Sequence, residues 1–432
     1  MSLNEYRRLR RPIGAHMLWF MFPSLRRRSK ARRSAVVLGL SPTGLSAMRE
    51  LAAAGFAVLG VSDELAPGLW SRRATLGTWR SGAPDRLVER LAAFARDQDE
   101  PPLLFPTSDG YVELVIRNVD ELSGFRSQAS YGDGTAAALL DKERFYALCD
   151  THGLDQPRRA TLHDRREALR WLQEATPSVP FPAILKPAEI HRVKHFMRGR
   201  KVIVVRDPSE LAAALQDLPF DSTSWLLQEV VPGPDSELLM FGAYIDRTGR
   251  PARVVTARKL RQYPIGFGTA TLARSEPEAE VRATSLAFLD AIGFRGITEV
   301  EFKRDARDGR LRIMEINPRP ELWCQLARSA GVDILAAAAD DLSGRPIGPG
   351  GEQRDGVRWR YGLKDAYAAA NYRFRPSASL FPAPEVGSGP SHAAALWDPR
   401  DPLPGLAEPL LYLAKALRRG RRLTGASSAP PD

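Results

Sequence analysis

Residues 299–305 read Glu-Val-Glu-Phe-Lys-Arg-Asp, and residues 314–320 read Met-Glu-Ile-Asn-Pro-Arg-Pro. Side chains alternate between the two faces of a β-strand, so Glu299 and Glu301 are expected on one face of the first stretch. An Asp-Gly turn lies between the two stretches, and the returning strand brings Glu315 alongside the first pair. The sequence therefore predicts two antiparallel strands that gather carboxylates on a single surface.

Glu301, Glu315 and Asn317 together form a ligand set made only of oxygen donors, which suits Mg²⁺ shared with a phosphate chain. Mn²⁺ is the alternative cation. Arg319 follows two residues later and is placed to stabilise charge on a transferring phosphoryl group. The other interpretation is that the two glutamates pair with basic side chains across an exposed sheet. The Asn-Pro-Arg turn favours the metal site, because presenting Asn and Arg together serves no evident packing purpose.

The stretch 34–63 predicts a β-α-β unit, since two apolar runs flank a helical pattern of about 30 residues in all. With a further short strand at 103–105, we expect one small α/β domain with a parallel sheet over residues 34–133. The Gly-containing turn 39–44 lacks the G-x-G-x-x-G spacing. We interpret it as a structural or substrate-binding turn; a dinucleotide site with Asp63 at the ribose is the alternative.

From residue 141 onward the chain is rich in strands. The predicted strands are 183–186, 202–205, 225–231, 238–245, 252–257, 297–303 and 311–316, and the predicted helices are 141–154, 208–217 and 277–292. Hairpin-like spacing at 225–257 and 297–316 predicts an α+β arrangement with substantial antiparallel sheet. Residues 346–432 are richer in Pro and Gly and end in a basic cluster at 415–422.

Most of the net charge of +11 in this 432-residue chain lies in an N-terminal arm. Residues 1–33 hold ten basic residues and one acid, whereas the remaining chain has 52 basic and 50 acidic residues. The composition of this near-neutral body implies no broad basic face for nucleic acid, so we expect no nucleic-acid partner; a nucleic-acid-binding protein that uses its basic ends is the alternative. The two cysteines exclude a disulfide-rich scaffold and a Cys-type zinc site.

The apolar stretch 16–25 within the arm is too short for a spanning helix and is interrupted by Pro23. Three interpretations remain: a disordered basic tail, a peripheral contact with anionic lipid through Trp19 and Phe20, or export. We expect a cytoplasmic protein, with contact at the inner face of the membrane as the finer possibility.

The pattern E-F-K-R-D…M-E-I-N-P-R resembles the ATP-grasp superfamily of ATP-dependent carboxylate–amine ligases, and the likeness extends over residues 34–345. It implies an α/β and α+β fold: a small parallel-sheet pre-ATP-grasp domain, then an ATP-grasp domain with antiparallel sheet. The expected divisions are an arm at 1–33, the first domain at 34–133, the ATP-grasp domain at 134–345 and an extension at 346–432.

The resemblance also implies roles for individual residues. ATP would be bound by Lys142, by Lys186 over the α- and β-phosphates, by Gln228, Glu229 and Val231 at the adenine, by Glu237 near the ribose and by Lys259. Arg319 and Arg258 would act on the reacting groups, and Glu301, Glu315 and Asn317 would hold the metal.

One segment departs from the family's pattern. In place of a Gly-rich loop after Lys186, residues 189–201 contain a single glycine and a set of cationic or histidine side chains: His191, Arg192, Lys194, His195, Arg198 and Lys201. We expect either a cationic lid that contacts phosphate through side chains or a solvated basic loop.

The activity implied is phosphorylation of a carboxylate by ATP to an acyl phosphate, which an amine then converts to an amide. A non-catalytic ATP-binding regulator is the alternative. The motif Trp397-Asp398-Pro399-Arg400-Asp401-Pro402 resembles the end of predicted carboligases related to D-aspartate ligases. That likeness implies small-molecule or cell-surface-precursor carboxylates and amines as substrates, and it leaves the oligomeric state open.

Overall fold

The structure is a computed structural model that describes residues 33–173, 178–188, 192–197, 200–375 and 379–425. For Lys194 and residues 415–425 it describes the backbone only. The predicted arm, apart from Arg33, and His191 and Arg198 of the predicted lid lie outside these residues. The part of the chain described from Arg33 onward forms one unit.

Three sheets organise this unit. Its strands are β1 (Ser34–Leu38), β2 (Ala57–Ser62), β3 (Thr78–Arg80), β4 (Leu103–Pro106), β5 (Arg159–Leu162), β6 (Ala183–Pro187), β7 (Ile203–Val205), β8 (Trp225–Glu229), β9 (Leu238–Ile245), β10 (Pro251–Tyr263), β11 (Thr269–Ser275), β12 (Gly296–Arg304), β13 (Leu311–Asn317), β14 (Arg358–Arg360) and β15 (Ala393–Ala394).

The helices are α1 (Pro42–Ala53), α2 (Pro84–Arg96), α3 (Asp109–Arg117), α4 (Thr135–Leu140), α5 (Lys142–Thr151), α6 (Arg165–Leu172), α7 (Lys194–Met197), α8 (Pro208–Asp217), α9 (Ala279–Ala291), α10 (Cys324–Ser329), α11 (Ile334–Leu342), α12 (Gly362–Phe374) and α13 (Leu403–Gly425). Short 3₁₀ turns occur at Pro67–Trp70, Ala129–Tyr131 and Asp235–Glu237. None of the helices in the described ranges has the length and apolarity required to span a bilayer.

The first sheet has the order β3-β2-β1-β4 and all of its strand pairs are parallel, as the β-α-β pattern predicted. The turn after β1 depends on its glycines. Gly39 has a φ of +89°, and a Cβ on Gly44 would lie 1.8 Å from the Gly39 carbonyl oxygen. The glycines therefore let α1 start directly against the carboxyl end of β1.

The second sheet has the antiparallel order β5-β8-β6-β7. Helix α5 leads into it, and its start explains the Asp-Lys pair of the sequence. The Asp141 carboxylate accepts hydrogen bonds from the backbone N–H groups of Glu143 and Arg144, which caps the helix and fixes Lys142 at its first position.

The third sheet has the order β13-β12-β9-β10-β11-β14-β15 and is antiparallel except for its last pair. One face packs on α10 and α11 through residues such as Met240 and Trp323, and the other packs on α5 and α9 through Phe241 and Phe302. Strands β14 and β15 come from beyond residue 345. The predicted boundary at 345 therefore falls between strands of a single sheet.

Candidate active site

The two acidic stretches form neighbouring antiparallel strands. In the register of β12 and β13, Glu301 lies opposite Glu315 and Glu299 lies opposite Asn317. Val300 and Phe302 point to the other face, where both are fully or almost fully buried. The alternation predicted from the sequence thus places the carboxylates and the amide on one surface of the sheet.

Basic groups surround this acidic surface and fix its charge. Lys259 on β10 donates a hydrogen bond to Glu301 Oε2. Burial raises the pKa of Glu315, but the ammonium groups of Lys201, Lys186 and Lys259 outweigh burial and lower it to about 2. The Glu315 carboxylate is therefore ionised at neutral pH.

Glu299 behaves differently from Glu315. Burial and the neighbouring Glu301 charge raise the pKa of Glu299 to about 7. Its Oε1 accepts a hydrogen bond of 2.6 Å from the Trp323 indole, and its Oε2 accepts one of 3.1 Å from the Asn317 amide. Glu299 is thus an inner, hydrogen-bonded carboxylate behind the predicted metal ligands.

Asn317 joins the acidic surface to Arg319. Its amide nitrogen donates to Glu315 at 3.3 Å, and its amide oxygen accepts from Arg319 Nη2 at 2.9 Å. Coordination of a cation by the Asn317 oxygen therefore requires the amide to turn by about 180°, a rotation that exchanges its O and N positions. Within the described residues, no three acidic, His or Cys side chains converge on one point.

These donors fit a Mg²⁺ ion that is shared with a phosphate ligand. Two carboxylates and one amide oxygen leave coordination positions open, and Mg²⁺ in phosphate-binding sites usually fills them with water and phosphate oxygens. Glu301, Glu315 and Asn317 are the residues that would hold the cation.

The Asn-Pro-Arg turn is held from a distant part of the chain. The Pro318 carbonyl accepts hydrogen bonds of 3.1 Å from both Gln128 Nε2 and the Tyr131 hydroxyl. Gln128 also accepts a hydrogen bond from the Ile297 N–H at 3.0 Å, which ties the same loop to β12. Sequence reasoning missed Gln128 and Tyr131, because contacts over almost 190 positions leave no local signal.

These groups open into a cavity of about 280 Å³. Its walls include five of the predicted site residues and Lys201, which are listed together here: Lys259, Glu301, Glu315, Asn317, Arg319 and Lys201. The facing wall comes from the ends of β1 and β4 and includes Ser41, Thr43, Thr107 and Ser108. Neighbouring parallel strands end at the same edge of a sheet. The turns after β1 and β4 in the first sheet were therefore the sequence signal that could have found this wall.

Asp109 belongs to this wall and corrects an expectation. Its position directly after the Pro106-Thr107-Ser108 turn predicts, from sequence alone, that it caps the following helix, with substrate contact as the alternative. In the structure Ser108 occupies the cap position of α3, and the Asp109 carboxylate accepts a hydrogen bond of 2.6 Å from Arg319 Nε. This ion pair joins the Asn-Pro-Arg turn to the first sheet.

Lys142, Lys186 and Gln228 lie beside the acidic surface. Lys142 donates hydrogen bonds to the carbonyls of Pro187 and Ala188, and Lys186 donates to Gln228 Oε1 at 3.2 Å. Burial lowers the pKa of both lysines, that of Lys186 to about 8. The buried Gln228 amide nitrogen has no hydrogen-bond partner among the described residues, so a donor is available for a ligand there.

Glu229 and Val231 are both buried at the end of β8. The Glu229 carboxylate accepts hydrogen bonds of 2.9 Å from the Arg158 N–H and from Arg307. In this arrangement its oxygens are engaged by the protein, and adenine contact by Glu229 and Val231 stays a prediction. Glu237 lies 3.7 Å from Arg258, and its ribose contact likewise stays a prediction.

Arg258 is a predicted site residue whose side chain is bound by acidic residues away from the cavity. It follows on β10 immediately before Lys259, so its side chain points to the opposite face of the sheet. There it donates hydrogen bonds to Glu276 at 3.0 Å and Glu278 at 2.5 Å. In this arrangement the guanidinium is engaged by acidic side chains on the face opposite Lys259, and the action of Arg258 on the reacting groups stays a prediction.

The predicted lid is described only in part. Within residues 192–197 and from residue 200 onward, a short helix forms at Lys194–Met197 and Lys201 lines the cavity. The Lys201 ammonium is the first of the cations that lower the pKa of Glu315. A cationic contribution of this segment to the site therefore involves Lys201.

No family model matches the chain. Over 270 residues it is 24% identical to a D-aspartate ligase of Enterococcus faecium, covering 60% of this chain and 64% of the ligase. The chain thus spans less than two thirds of that relative.

Solved structures extend the likeness at the level of the fold. N5-carboxyaminoimidazole synthetase of Staphylococcus aureus, complexed with ADP, matches 75% of this chain and 81% of its own with a TM-score of 0.56 and 12% identity. L-amino acid ligase of Bacillus licheniformis matches 76% and 80% with a TM-score of 0.56 and 14% identity. The shared fold shows that this chain has the ATP-grasp α/β fold that the resemblance of its motifs implied.

Proposed function

We propose that the protein is an ATP-dependent carboxylate–amine ligase that uses Mg²⁺. The observation that carries this proposal is one cavity lined by Glu301 and Glu315 across paired strands, with Lys259 and Arg319 at its edge. Paired acids, a lysine and an arginine around one cavity are the parts that phosphoryl transfer requires, since catalysis there is mostly positioning and charge stabilisation.

In the proposed reaction, Lys142 and Lys186 hold the ATP phosphates. Mg²⁺ bound at Glu301, Glu315 and Asn317 would offset negative charge on those phosphates. A carboxylate oxygen of the substrate attacks the γ-phosphorus in line, and the bond to the β-phosphate oxygen breaks, which gives an acyl phosphate and ADP. Arg319 lies where its guanidinium can stabilise the charge on the transferring group.

An amine then attacks the acyl carbon, phosphate leaves with one oxygen of the original carboxylate, and the amine loses a proton. No side-chain nucleophile is needed. Since the similarity is to a D-aspartate ligase and the fold likeness to an L-amino acid ligase, we propose amino-acid-type carboxylates and amines as the first candidates. Cell-surface precursors are the second group.

An oxygen-label experiment tests this sequence of bonds. With Mg-ATP, an amine and a pool of carboxylates labelled with ¹⁸O, we expect ADP release that requires a carboxylate and transfer of one labelled oxygen to phosphate. Splitting the pool identifies the substrate. ATP binding without ADP release, whichever carboxylates are supplied, would instead favour a non-catalytic ATP-binding regulator. Release of phosphate that carries no ¹⁸O would exclude an acyl phosphate intermediate.

Lys186 provides a prediction on pH dependence. Because its pKa is lowered to about 8 in the free protein and an adjacent phosphate chain favours the ammonium form, ATP binding should raise that pKa. At pH 9 binding should therefore take up to about one proton, whereas at pH 6.5 Lys186 is already charged and contributes none. ATP affinity should fall as the pH rises above 8.

Calorimetry of ATP binding in two buffers of different ionisation enthalpy measures this uptake. Lys186→Arg is the matched control. Its arginine stays charged at pH 9, so ATP binding to this variant should lack the proton uptake that the wild type shows at that pH. Lys142 and other lysines stay in place in both proteins, so the difference belongs to Lys186. Equal proton uptake in the two proteins would contradict the role.

We also propose that the protein acts in the cytoplasm and that its N-terminal basic residues bring it to an anionic membrane surface. The charge of residues 1–33 supports this proposal. Replacement of the arm's arginines by glutamine in the full chain should weaken binding to anionic vesicles.

A further inference from the structure

Helix α13 carries a row of exposed leucines. Leu406, Leu410 and Leu413 are 60%, 68% and 57% exposed, and their spacings of four and three residues place them on one face of the helix. Leu411, between them in sequence, is 7% exposed and faces the protein. Contiguous exposed leucines on one helix face are uncommon on a monomer surface and mark an interaction site.

The helix is held firmly at its start, so the row has a fixed position. Asp401, just before α13, is fully buried and bound to Arg49 of α1. Trp397 lies against the first turn of the helix, where a Cβ on Gly405 would be 3.1 Å from its ring, and is itself 52% exposed. An exposed tryptophan beside exposed leucines is typical of segments at a membrane interface.

The charge of the residues that follow the leucine row indicates which kind of partner this surface would bind. Residues 409–431 contain no acid and five basic residues: Lys415, Arg418, Arg419, Arg421 and Arg422. They follow the leucine row on the same helix, for which the structure describes the backbone to Gly425. A second copy docked side by side would bring two such basic segments together, which is unfavourable, whereas an anionic bilayer attracts both copies.

We propose that α13 lies in the surface of an anionic lipid bilayer, with Leu406, Leu410 and Leu413 inserted at the boundary between headgroups and acyl chains. Apolar burial and attraction of the basic residues act together, as in other interfacial helices. The proposal places a docking surface in the C-terminal extension, in addition to the arm, and it does not depend on the ligase activity.

Co-sedimentation of the full chain with vesicles tests it. We expect binding to mixed phosphatidylcholine–phosphatidylglycerol vesicles, weakening as salt is raised, and little binding to phosphatidylcholine alone. The triple variant Leu406→Gln/Leu410→Gln/Leu413→Gln should partition onto the mixed vesicles at least about 10-fold less than the wild type.

The control replaces three other exposed apolar residues, Leu76, Val119 and Leu169, by glutamine; these are 38–45% exposed and lie far from α13 in the sequence. The control should bind vesicles like the wild type, and both variants should keep the wild-type melting temperature. Unchanged vesicle binding by the α13 variant would overturn the proposal in favour of the arm alone. A wild-type dimer that the α13 variant dissolves would overturn it in favour of a second copy.

Discussion

Glu315→Ala is expected to reduce carboxylate-dependent ADP release by at least ~10²- to 10³-fold, the size of loss seen when one group that stabilises transferring charge is removed. Glu315 pairs with Glu301 in register, lines the cavity and carries a pKa lowered to about 2 by the lysines around it. Its negative charge is therefore present at every pH at which ADP release would be assayed. Alanine removes both that charge and a predicted metal ligand.

The fold should survive this change, because Glu315 lies on the cavity wall and Lys259, its buried cationic neighbour, keeps its hydrogen bond to Glu301. Glu315→Gln keeps the shape of the side chain but removes its charge, and it should lose almost as much activity as Glu315→Ala. Glu113→Ala, which removes an exposed helical pair with Arg117, is the matched control and should keep full turnover. Measurements are steady-state kcat, the Mg²⁺ concentration for half-maximal rate and the melting temperature. Near-normal kcat in Glu315→Ala would contradict the site.

The acidic strand pair could be predicted because its information is local. Period-two alternation, an Asp-Gly turn and a short returning strand fix which side chains share a face, and the register of Glu301 with Glu315 agrees. The parallel first sheet was equally local, since β1 and β2 are apolar runs separated by one helix. The pairs β12–β13 and β1–β2 needed only residues within about 30 positions of each other.

The sequence already contained a conflict between the roles given to Arg258 and Lys259. Consecutive residues on a strand point to opposite faces, so Arg258 and Lys259 could not both reach the phosphates. The choice between them depended on which one shares a face with Glu301, and Lys259 does. The partners of Arg258 are Glu276 and Glu278, which lie between β11 and α9 and gave no separate signal in the sequence.

The support of the Asn-Pro-Arg turn could not be predicted, because it is tertiary. Asp109 meets Arg319 across 210 positions, and Gln128 meets Pro318 across 190. No periodicity links such residues, and both contacts depend on how the first sheet packs against the third. The same limit applies to the C-terminal segment, whose anchor on α1 is 352 positions away.

That anchor gives the second large expected effect: Asp401→Ala should lower the free energy of unfolding by about 3–5 kcal/mol, the cost of removing one partner of a buried ion pair. The Asp401 carboxylate accepts hydrogen bonds from Arg49 Nε at 3.0 Å, the Ser71 hydroxyl at 2.7 Å and the Arg72 N–H at 3.0 Å. Alanine leaves all three donors unpaired. Arg49 is 4% exposed, so its charge would stay inside the protein.

The loss should come mainly from that stranded guanidinium, and a double-mutant cycle shows whether it does. Burial lowers the pKa of Arg49, and Asp401 opposes this effect, so the arginine depends on its partner to stay charged. Arg49→Met/Asp401→Ala should therefore be less destabilised than the sum of the two single variants. Denaturant unfolding gives the free energies, and Glu210→Ala, which breaks an exposed pair with Arg206, should cost no more than about 1 kcal/mol. If the double variant loses as much unfolding free energy as the two single variants together, Arg49 and Asp401 act separately. The hydrogen bonds of Asp401 to Ser71 and Arg72 would then hold the C-terminal segment in place.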